Sequence, residues 1–266
     1  MNDVLVTGGT GVLGRAVVTE LLARGHSVRV LSRHAGARVP AGVRLFTGDL
    51  ATGTGLAEAV PGADTVLHCA SDPRRYREVD VPGTRRLIEA AAATRPHLVH
   101  ISIVGCDRIP YGYYRTKTES ERLIAESGLP WSVLRATQFH ELVLTIAHAV
   151  SRLPVVLLPR GLRDQPVDVR DVAPRLVDLV ESGPRGRAPD LGGPEVLTAE
   201  DIVRALARAR GRRVRIVTFP LAGKVYAGLR AGRHLVTDGE TGTRTFADHL
   251  AQHVHGGGVD LPYRLR

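Results

Sequence analysis

Lysine is nearly absent: of the 36 basic residues in this 266-residue chain only Lys117 and Lys224 are lysine, and the rest are arginine. So heavy an arginine bias reflects genome composition rather than selection for a polyanion. The arginines form scattered pairs (Arg74–Arg75, Arg85–Arg86, Arg212–Arg213) and no block. Aromatic residues are few as well, with four Phe, one Trp and six Tyr, and they do not interleave with the basic pairs as stacking platforms for nucleic acid would. The net charge of +9, from 36 basic against 27 acidic residues, therefore reads as a solvated surface, and no nucleic-acid partner is expected. Two cysteines, Cys69 and Cys106, are too few for a disulfide scaffold or a Cys-rich zinc site. No His/Cys/Asp/Glu group has metal-ligand spacing, so no metal is expected. No apolar run approaches the roughly 18 residues of a membrane span. The start, Met1-Asn2-Asp3, has neither a basic n-region nor an apolar h-region. The expectation is a cytoplasmic protein with no membrane partner, its free thiols suiting a reducing compartment.

Hydrophobic residues at 43% and charged residues at 24% place the chain among ordinary globular proteins. The first half alternates short apolar runs with helical spacing. Strands are predicted at Val4–Thr7, Ser27–Leu31, Val43–Phe46, Thr65–Cys69, His97–Val104 and Trp131–Arg135. Helices are predicted at Arg15–Arg24, Gly83–Thr94 and Tyr113–Ser127. This alternation implies an α/β fold, a parallel sheet with helices on both faces. The second half is less regular: helices at Glu141–Leu153, Val172–Ser182 and Thr198–Arg210, and strands at Val155–Leu158, Pro166–Arg170 and Arg213–Thr218. Thr198 and Asp171 are the expected helix caps. Residues 1–153 are assigned to a nucleotide-binding core. Residues 154–254 complete it and form a small lobe, and the glycine-rich stretch 255–266 is a flexible tail.

Between the first strand and first helix stands Thr7-Gly8-Gly9-Thr10-Gly11-Val12-Leu13-Gly14. Its glycines at 8, 11 and 14 allow a tight turn, close approach of backbone to a pyrophosphate, and close packing of helix on strand. The helix N-terminus then presents free N–H groups and a positive dipole end to the phosphates. The second strand ends in Leu31-Ser32-Arg33, with no carboxylate for the ribose hydroxyls of NAD. Arg33 would instead attract a 2′-phosphate, so NADP(H) is favoured over NAD(H).

Further segments follow in order: GDL at 48–50, VLHCAS at 66–71, VPGTRRLIEAA at 81–91, HISIVG at 100–105, the YxxxK of Tyr113–Lys117, LRATQFHE at 134–141 and PVDVRDVA at 166–173. Together with TGGTGVLG at 7–14 they resemble the short-chain dehydrogenase/reductase superfamily, in its atypical and extended branches near the NmrA-like and triphenylmethane reductase-like proteins. The resemblance implies a Rossmann-type doubly wound parallel sheet with a small C-terminal substrate lobe. It implies pyrophosphate contact from Thr10, Gly11, Val12 and Leu13, and adenine contact at Asp49 and Leu50. It also implies cofactor walls from Cys69, Ala70 and Ser71, from Ser102, and from Ala136, Thr137 and Phe139.

Tyr113 and Lys117 lie four apart and share one helix face. In the superfamily the tyrosine is the general acid/base, and the lysine holds the nicotinamide ribose. A free phenol ionises near pH 10, so a neighbouring ammonium is needed to favour phenolate. With two lysines in the chain, one at this offset is a specific signal. Tyr111 and Tyr114 lack the relation. The superfamily's serine, second of a Ser-Ser pair after the fifth strand, is missing: Ser102 is followed by Ile103. Loss of such a donor costs about 10²–10³ in rate. Thr137, Gln138 or His140 could replace it. His68 and His100 read as core histidines. The function expected is an NADP-dependent oxidoreductase passing hydride to a small organic carbonyl or conjugated substrate. The missing serine leaves two alternatives, a non-catalytic NAD(P)-binding redox sensor of the NmrA type, or an isomerase or cyclase on the same fold. The oligomeric state stays open.

Overall fold

The computed structural model describes residues 1–72, 75–152 and 155–261. Its first half runs β1 (Asp3–Thr7), α1 (Val12–Ala23), β2 (Ser27–Ser32), β3 (Arg44–Thr47), α2 (Leu56–Ala59), β4 (Thr65–His68), α3 (Tyr76–Ala91), β5 (His97–Ile103), α4 (Gly112–Glu126) and β6 (Trp131–Ala136). There follow α5 (His140–Val150), β7 (Val155–Pro159), β8 (Arg163–Asp164), α6 (Val169–Ser182), β9 (Gly186–Arg187), β10 (Leu191–Gly192), β11 (Leu197–Thr198) and α7 (Ala199–Ala209). The chain ends with β12 (Arg215–Phe219), α8 (Lys224–Arg230), β13 (Glu240–Thr241), α9 (Phe246–His253), β14 (Val254–His255) and β15 (Gly258–Val259).

Two compact units interleave along the chain. The first holds 1–102, 111–135 and 172–189; the second holds 103–110, 136–171 and 190–266. In the first, the strand order is β3-β2-β1-β4-β5-β6, with β9 beside β6. β1 pairs in parallel with β2 on one side and β4 on the other. The chain therefore builds outward to β3, then restarts on the far side of β1. That reversal opens a crevice at the carboxyl ends of β1 and β4, where α/β sheets take their ligands. Val4, Leu5, Val6, Val66, Leu67, Leu98 and Val99 are fully buried, as strands covered on both faces require.

The second unit packs α5, α7 and α9 around Val143, Leu144, Val156, Leu158, Leu206, Phe246 and Leu250. Here β7 pairs with β12 in parallel, and β8 with β11 antiparallel. Thr198 accepts from the Asp201 N–H and caps α7 as its sequence predicts.

Four local expectations are corrected. Residues 166–170 are not a strand: only Val167 makes a bridge, to Phe139, and α6 begins at Val169. Asp168 is the residue that starts the helix, its Oδ1 accepting the Arg170 N–H at 2.8 Å. Asp171 accepts instead from the N–H groups of Thr243 and Arg244. Residues 255–259 are not a loose tail either: β14 and β15 form a hairpin around Gly256 and Gly257. Their φ values of +56° and +79° suit a two-residue turn whose centre needs left-handed backbone. Residues 262–266, Arg74 of the Arg74–Arg75 pair and Leu153 at the expected end of α5 lie outside the described residues. Finally, α3 starts at Tyr76 rather than Gly83. Pro82 sits inside it and removes one backbone donor, but packing of α3 on α4 carries the helix through.

Candidate active site

The glycine turn is a backbone cradle. Gly8 adopts φ +72°, and a Cβ there would lie 2.7 Å from the Ala70 backbone. A Cβ on Gly14 would lie 2.1 Å from the Gly8 carbonyl oxygen and 2.7 Å from the Gly9 Cα. The Gly11 N–H donates to Gly8 O at 2.9 Å, closing the turn. Gly11 caps α1 with no side-chain hydrogen bond, and no acidic residue stands in the first turn. The first N–H groups of α1 are thus left for an anion. Thr10 and Val12 are half-buried around this mouth, and Leu13 anchors the helix in the core. These residues fit a dinucleotide pyrophosphate. Gly14→Ala must push backbone against backbone. It should cost about 1–3 kcal/mol in urea denaturation and abolish NADPH binding by fluorescence titration; wild-type affinity would exclude the close-packing role.

At the end of β2, buried Ser32 accepts the His34 N–H at 3.2 Å and shapes the bend. Arg33 is exposed there. Asp49 is half-buried and accepts the Ala51 N–H at 2.9 Å; Leu50 beside it is buried. A Cβ on Gly83 of α3 would lie 3.0 Å from the Leu50 side chain, so that helix crosses close to the loop.

The segment after β4 joins the cradle to the expected catalytic pair. Ala70 touches Gly8, and the Cys69 N–H donates to Thr7 O at 3.1 Å. One residue on, Ser71 Oγ lies 2.8 Å from the Tyr113 hydroxyl and donates to Asp80 Oδ1 at 2.6 Å. Asp80 Oδ1 in turn lies 3.7 Å from Lys117 Nζ. The Lys117 ammonium also donates to Ile101 O at 3.5 Å. Asp80 and Lys117 are each 3% exposed, whereas Ser71 and Tyr113 are half-buried. Burial pushes the Asp80 carboxyl up, against the opposing pull of Lys117 and of Ser71. Burial pushes the Cys69 thiol up to about 12, so it stays protonated and is no nucleophile. Tyr114 is buried and Tyr111 exposed, stacked edge-on against each other, so α4 presents only Tyr113 to Ser71. Tyr76 at the start of α3 packs edge-on against the Tyr113 ring.

Beneath this cluster His68 Nδ1 lies 2.7 Å from Thr7 Oγ1, and its Nε2 lies 3.2 Å from Thr84 Oγ1. His68 stacks on His100 with centroids 4.9 Å apart. Desolvation, then Lys117, lowers the His68 pKa to about 3, and the same causes hold His100 well below the usual imidazole range. Both are neutral sheet histidines. Ser102 is buried in β5.

The second unit holds Ala136, Thr137 and Phe139. Ala136 is buried and pairs with Leu191; Phe139 is the N-cap of α5. Two of the groups considered as replacement donors are engaged within this unit. Thr137 Oγ1 donates to Gln165 O at 2.5 Å, and His140 Nε2 to Pro166 O at 3.0 Å. Buried His140, Asp168 and His249 come together, a grouping that their separation along the chain conceals. Arg170 already occupies both oxygens of Asp168, at 2.9 and 2.7 Å. Burial pushes this carboxyl up, but the bonds from Arg170, with the nearby His140 ring, prevail and hold it well below the usual carboxylate range. The carboxylate that a cation would need is thereby charge-balanced. Asp80 is the residue that sequence reasoning missed. With the helix started at Gly83 it fell in a loop, although it lies one helical turn before Thr84.

The model of the NAD(P)H-binding family matches residues 8–182. The chain belongs to that family. This NAD(P)H-binding protein is 33% identical over 221 residues to (4-alkanoyl-5-oxo-2,5-dihydrofuran-3-yl)methyl phosphate reductase of Streptomyces griseus, covering 80% of this chain and 75% of that one. It is 32% identical over 214 residues to an uncharacterized Mycobacterium tuberculosis protein, covering 77% of this chain. The chain spans only 23% of the length of that relative. In fold it is similar to the Escherichia coli NADPH-dependent quinone oxidoreductase QOR2 complexed with NADPH. The TM-score is 0.77 at 20% identity, over 94% of this chain and 99% of that chain. The doubly wound Rossmann-type sheet expected from the dehydrogenase/reductase resemblance is thus the fold found. Among the described residues, no helix is long and apolar enough to cross a membrane.

Proposed function

We propose that this NAD(P)H-binding protein is an NADPH-dependent reductase of a small organic carbonyl or conjugated substrate, with Tyr113 as proton donor. One observation carries the reading: residues 69–71 touch the glycine cradle through Ala70 and the Tyr113 hydroxyl through Ser71. The phosphate site and the acid/base group are therefore set by one short segment. The bound nicotinamide would supply the hydride. Thr10, Gly11, Val12 and Leu13 would hold the pyrophosphate, Asp49 and Leu50 the adenine end, and Lys117 the ribose near Tyr113. The Tyr113 hydroxyl then delivers a proton to the substrate atom that gains negative charge. The Streptomyces griseus relative is named a reductase of a 5-oxo-2,5-dihydrofuran and the fold neighbour a quinone oxidoreductase. Both names support a conjugated carbonyl acceptor.

The test is NADPH consumption with quinones, enones and aldehydes. Turnover with at least one class is expected. Tight NADPH binding with no turnover on any of them would instead favour the redox sensor. The preference for NADPH rests on Arg33, exposed where β2 ends. A charge-assisted bond to the 2′-phosphate is worth about 1.5–3 kcal/mol. Arg33→Ala should therefore raise the NADPH Kd about 10- to 100-fold and leave the NADH Kd within about twofold. Equal losses for both nucleotides would remove Arg33 from the 2′-phosphate site.

A further inference from the structure

The Tyr113 hydroxyl does not end at the substrate side; it opens a chain of exchangeable protons leading inward. Ser71 has one hydroxyl proton, and an ionised Asp80 takes it at Oδ1, 2.6 Å away. The 2.8 Å contact between Ser71 and Tyr113 must then be donated by Tyr113. With Asp80 ionised, the order is Tyr113 to Ser71 to Asp80, and the tyrosine proton points away from any substrate. With Asp80 protonated, every bond reverses: Asp80 donates to Ser71, Ser71 to Tyr113, and the Tyr113 proton is free to point outward.

We propose that Asp80 stores the proton that Tyr113 delivers, loaded and unloaded through the Ser71 hydroxyl. The proposal rests on the reductase reading above and gives that site two further residues. In the reductive step the Tyr113 O–H bond breaks toward the substrate atom that gains negative charge when a neighbouring carbon takes hydride from NADPH. The Ser71 proton passes to Tyr113 Oη, and the Asp80 proton passes to Ser71 Oγ. Asp80 ends as a carboxylate that accepts from Ser71, a bond that the 2.6 Å separation of the two oxygens suits. After product leaves, a proton from water enters at half-buried Tyr113 and runs inward by the same three groups, restoring the Asp80 carboxyl. Ser71 thereby supplies the hydroxyl beside Tyr113 that Ile103 cannot. Ser71 and Asp80 act through Tyr113 and are positioning residues.

Two observations fit a stored proton. Asp80 is 3% exposed, so its carboxyl exchanges protons through Ser71 more readily than with bulk water. Burial also pushes its carboxyl up, against Lys117 and Ser71. The other groups with charge or protons facing this chain are Lys117 from α4, Asp72 from the segment after β4, and the neutral His68 and His100 of the sheet, which face Lys117.

A carboxyl-carbon NMR titration of aspartate-labelled protein, with the Asp80 signal assigned by its loss in Asp80→Asn, needs neither substrate nor cofactor. Ser71→Ala removes a bond to the ionised form and should raise the Asp80 midpoint by about one unit, a tenfold change in its ionisation. Ser71→Thr keeps the hydroxyl and should leave the midpoint near wild type. An Asp80 midpoint indifferent to Ser71→Ala overturns the proposal. In turnover, Ser71→Ala should lower kcat about 10²-fold with the NADPH KM within about twofold, and Ser71→Thr should restore most of it. Asp80→Asn should remove the alkaline fall of kcat that unloading of Asp80 produces. A Ser71→Ala enzyme with wild-type kcat also overturns it. Should the wild type turn over no acceptor, the reductase reading fails on its own evidence, while the titration separately decides whether Ser71 and Asp80 are coupled.

Discussion

Tyr113→Phe is expected to lower kcat for NADPH-dependent reduction by about 10²–10⁴-fold while the NADPH Kd changes less than about twofold. Phenylalanine keeps the ring that packs edge-on against Tyr76 and removes only the hydroxyl bonded to Ser71. The lost hydrogen bond is worth about 1 kcal/mol in stability, so the variant stays folded and binds cofactor through the untouched glycine cradle. The loss falls on kcat because the proton is needed only as negative charge develops on the substrate. Tyr111→Phe is the matched control. Tyr111 is 49% exposed and stacks on Tyr114, so its rate should stay within about twofold of wild type. Steady-state kinetics on both variants checks this, and equal rates for Tyr113→Phe and wild type would remove Tyr113 from the chemistry.

Stability should fall steeply as pH drops below 6.5. Three imidazoles of the first unit are buried neutral. Desolvation lowers His97 to about 4, His68 is lowered to about 3, and His100 lies well below its ordinary value. In the unfolded chain each titrates near 6.5, so below that pH the unfolded state binds more protons than the folded one. Stability is then lost as pH falls from 6.5 toward the folded values, by about 1.4 kcal/mol per pH unit for each imidazole. Asp80 works in the opposite sense. Its folded carboxyl is raised, so the folded state holds a proton that the unfolded state has released, and this contribution grows as pH falls. Three imidazole protons amount to about 4 kcal/mol per pH unit near pH 5, and the raised Asp80, with Asp164 (pushed up to about 7 by burial) and Glu141 in the second unit, offsets part of it. Against a typical total of about 5–15 kcal/mol, the net loss is a substantial share of the stability by pH 4–5. Urea midpoints measured from pH 7.5 down to 4.5 test this, and a flat profile to pH 5 would show that these histidines are not buried neutral. His249 in the second unit, lowered by burial to about 3, adds a term of the same sign there.

Much of the first unit was legible in the chain. Val4–Thr7 followed by glycines at 8, 11 and 14 specifies a strand, a turn and a helix by local sterics alone. The structure repeats that reasoning atom by atom in the contacts a Cβ on Gly8 or Gly14 would make. Tyr113 and Lys117 were legible for the same kind of reason, since a four-residue offset on one helix is a local geometric fact. Asp80 was not. Its relevance depends on α3 reaching back to Tyr76 through Pro82, which helix propensity disfavours and packing against α4 permits. Ser71 was legible only as a neighbour of the cofactor, because its contact with Tyr113 joins residues 42 apart in sequence.

The sequence by itself determined the parallel sheet, the glycine turn, the basic residue after β2 and the four-residue offset of Tyr113 and Lys117. Each depends on the spacing of neighbouring residues, which a linear chain displays. Tertiary structure alone decided what stands beside the Tyr113 hydroxyl. Ile103 leaves no hydroxyl at the end of β5; a serine from the segment after β4 and an aspartate from α3 stand beside Tyr113 and Lys117 instead. That meeting depends on the order in which strands enter the sheet, which juxtaposes the ends of β4, α3 and α4 and which no local spacing encodes.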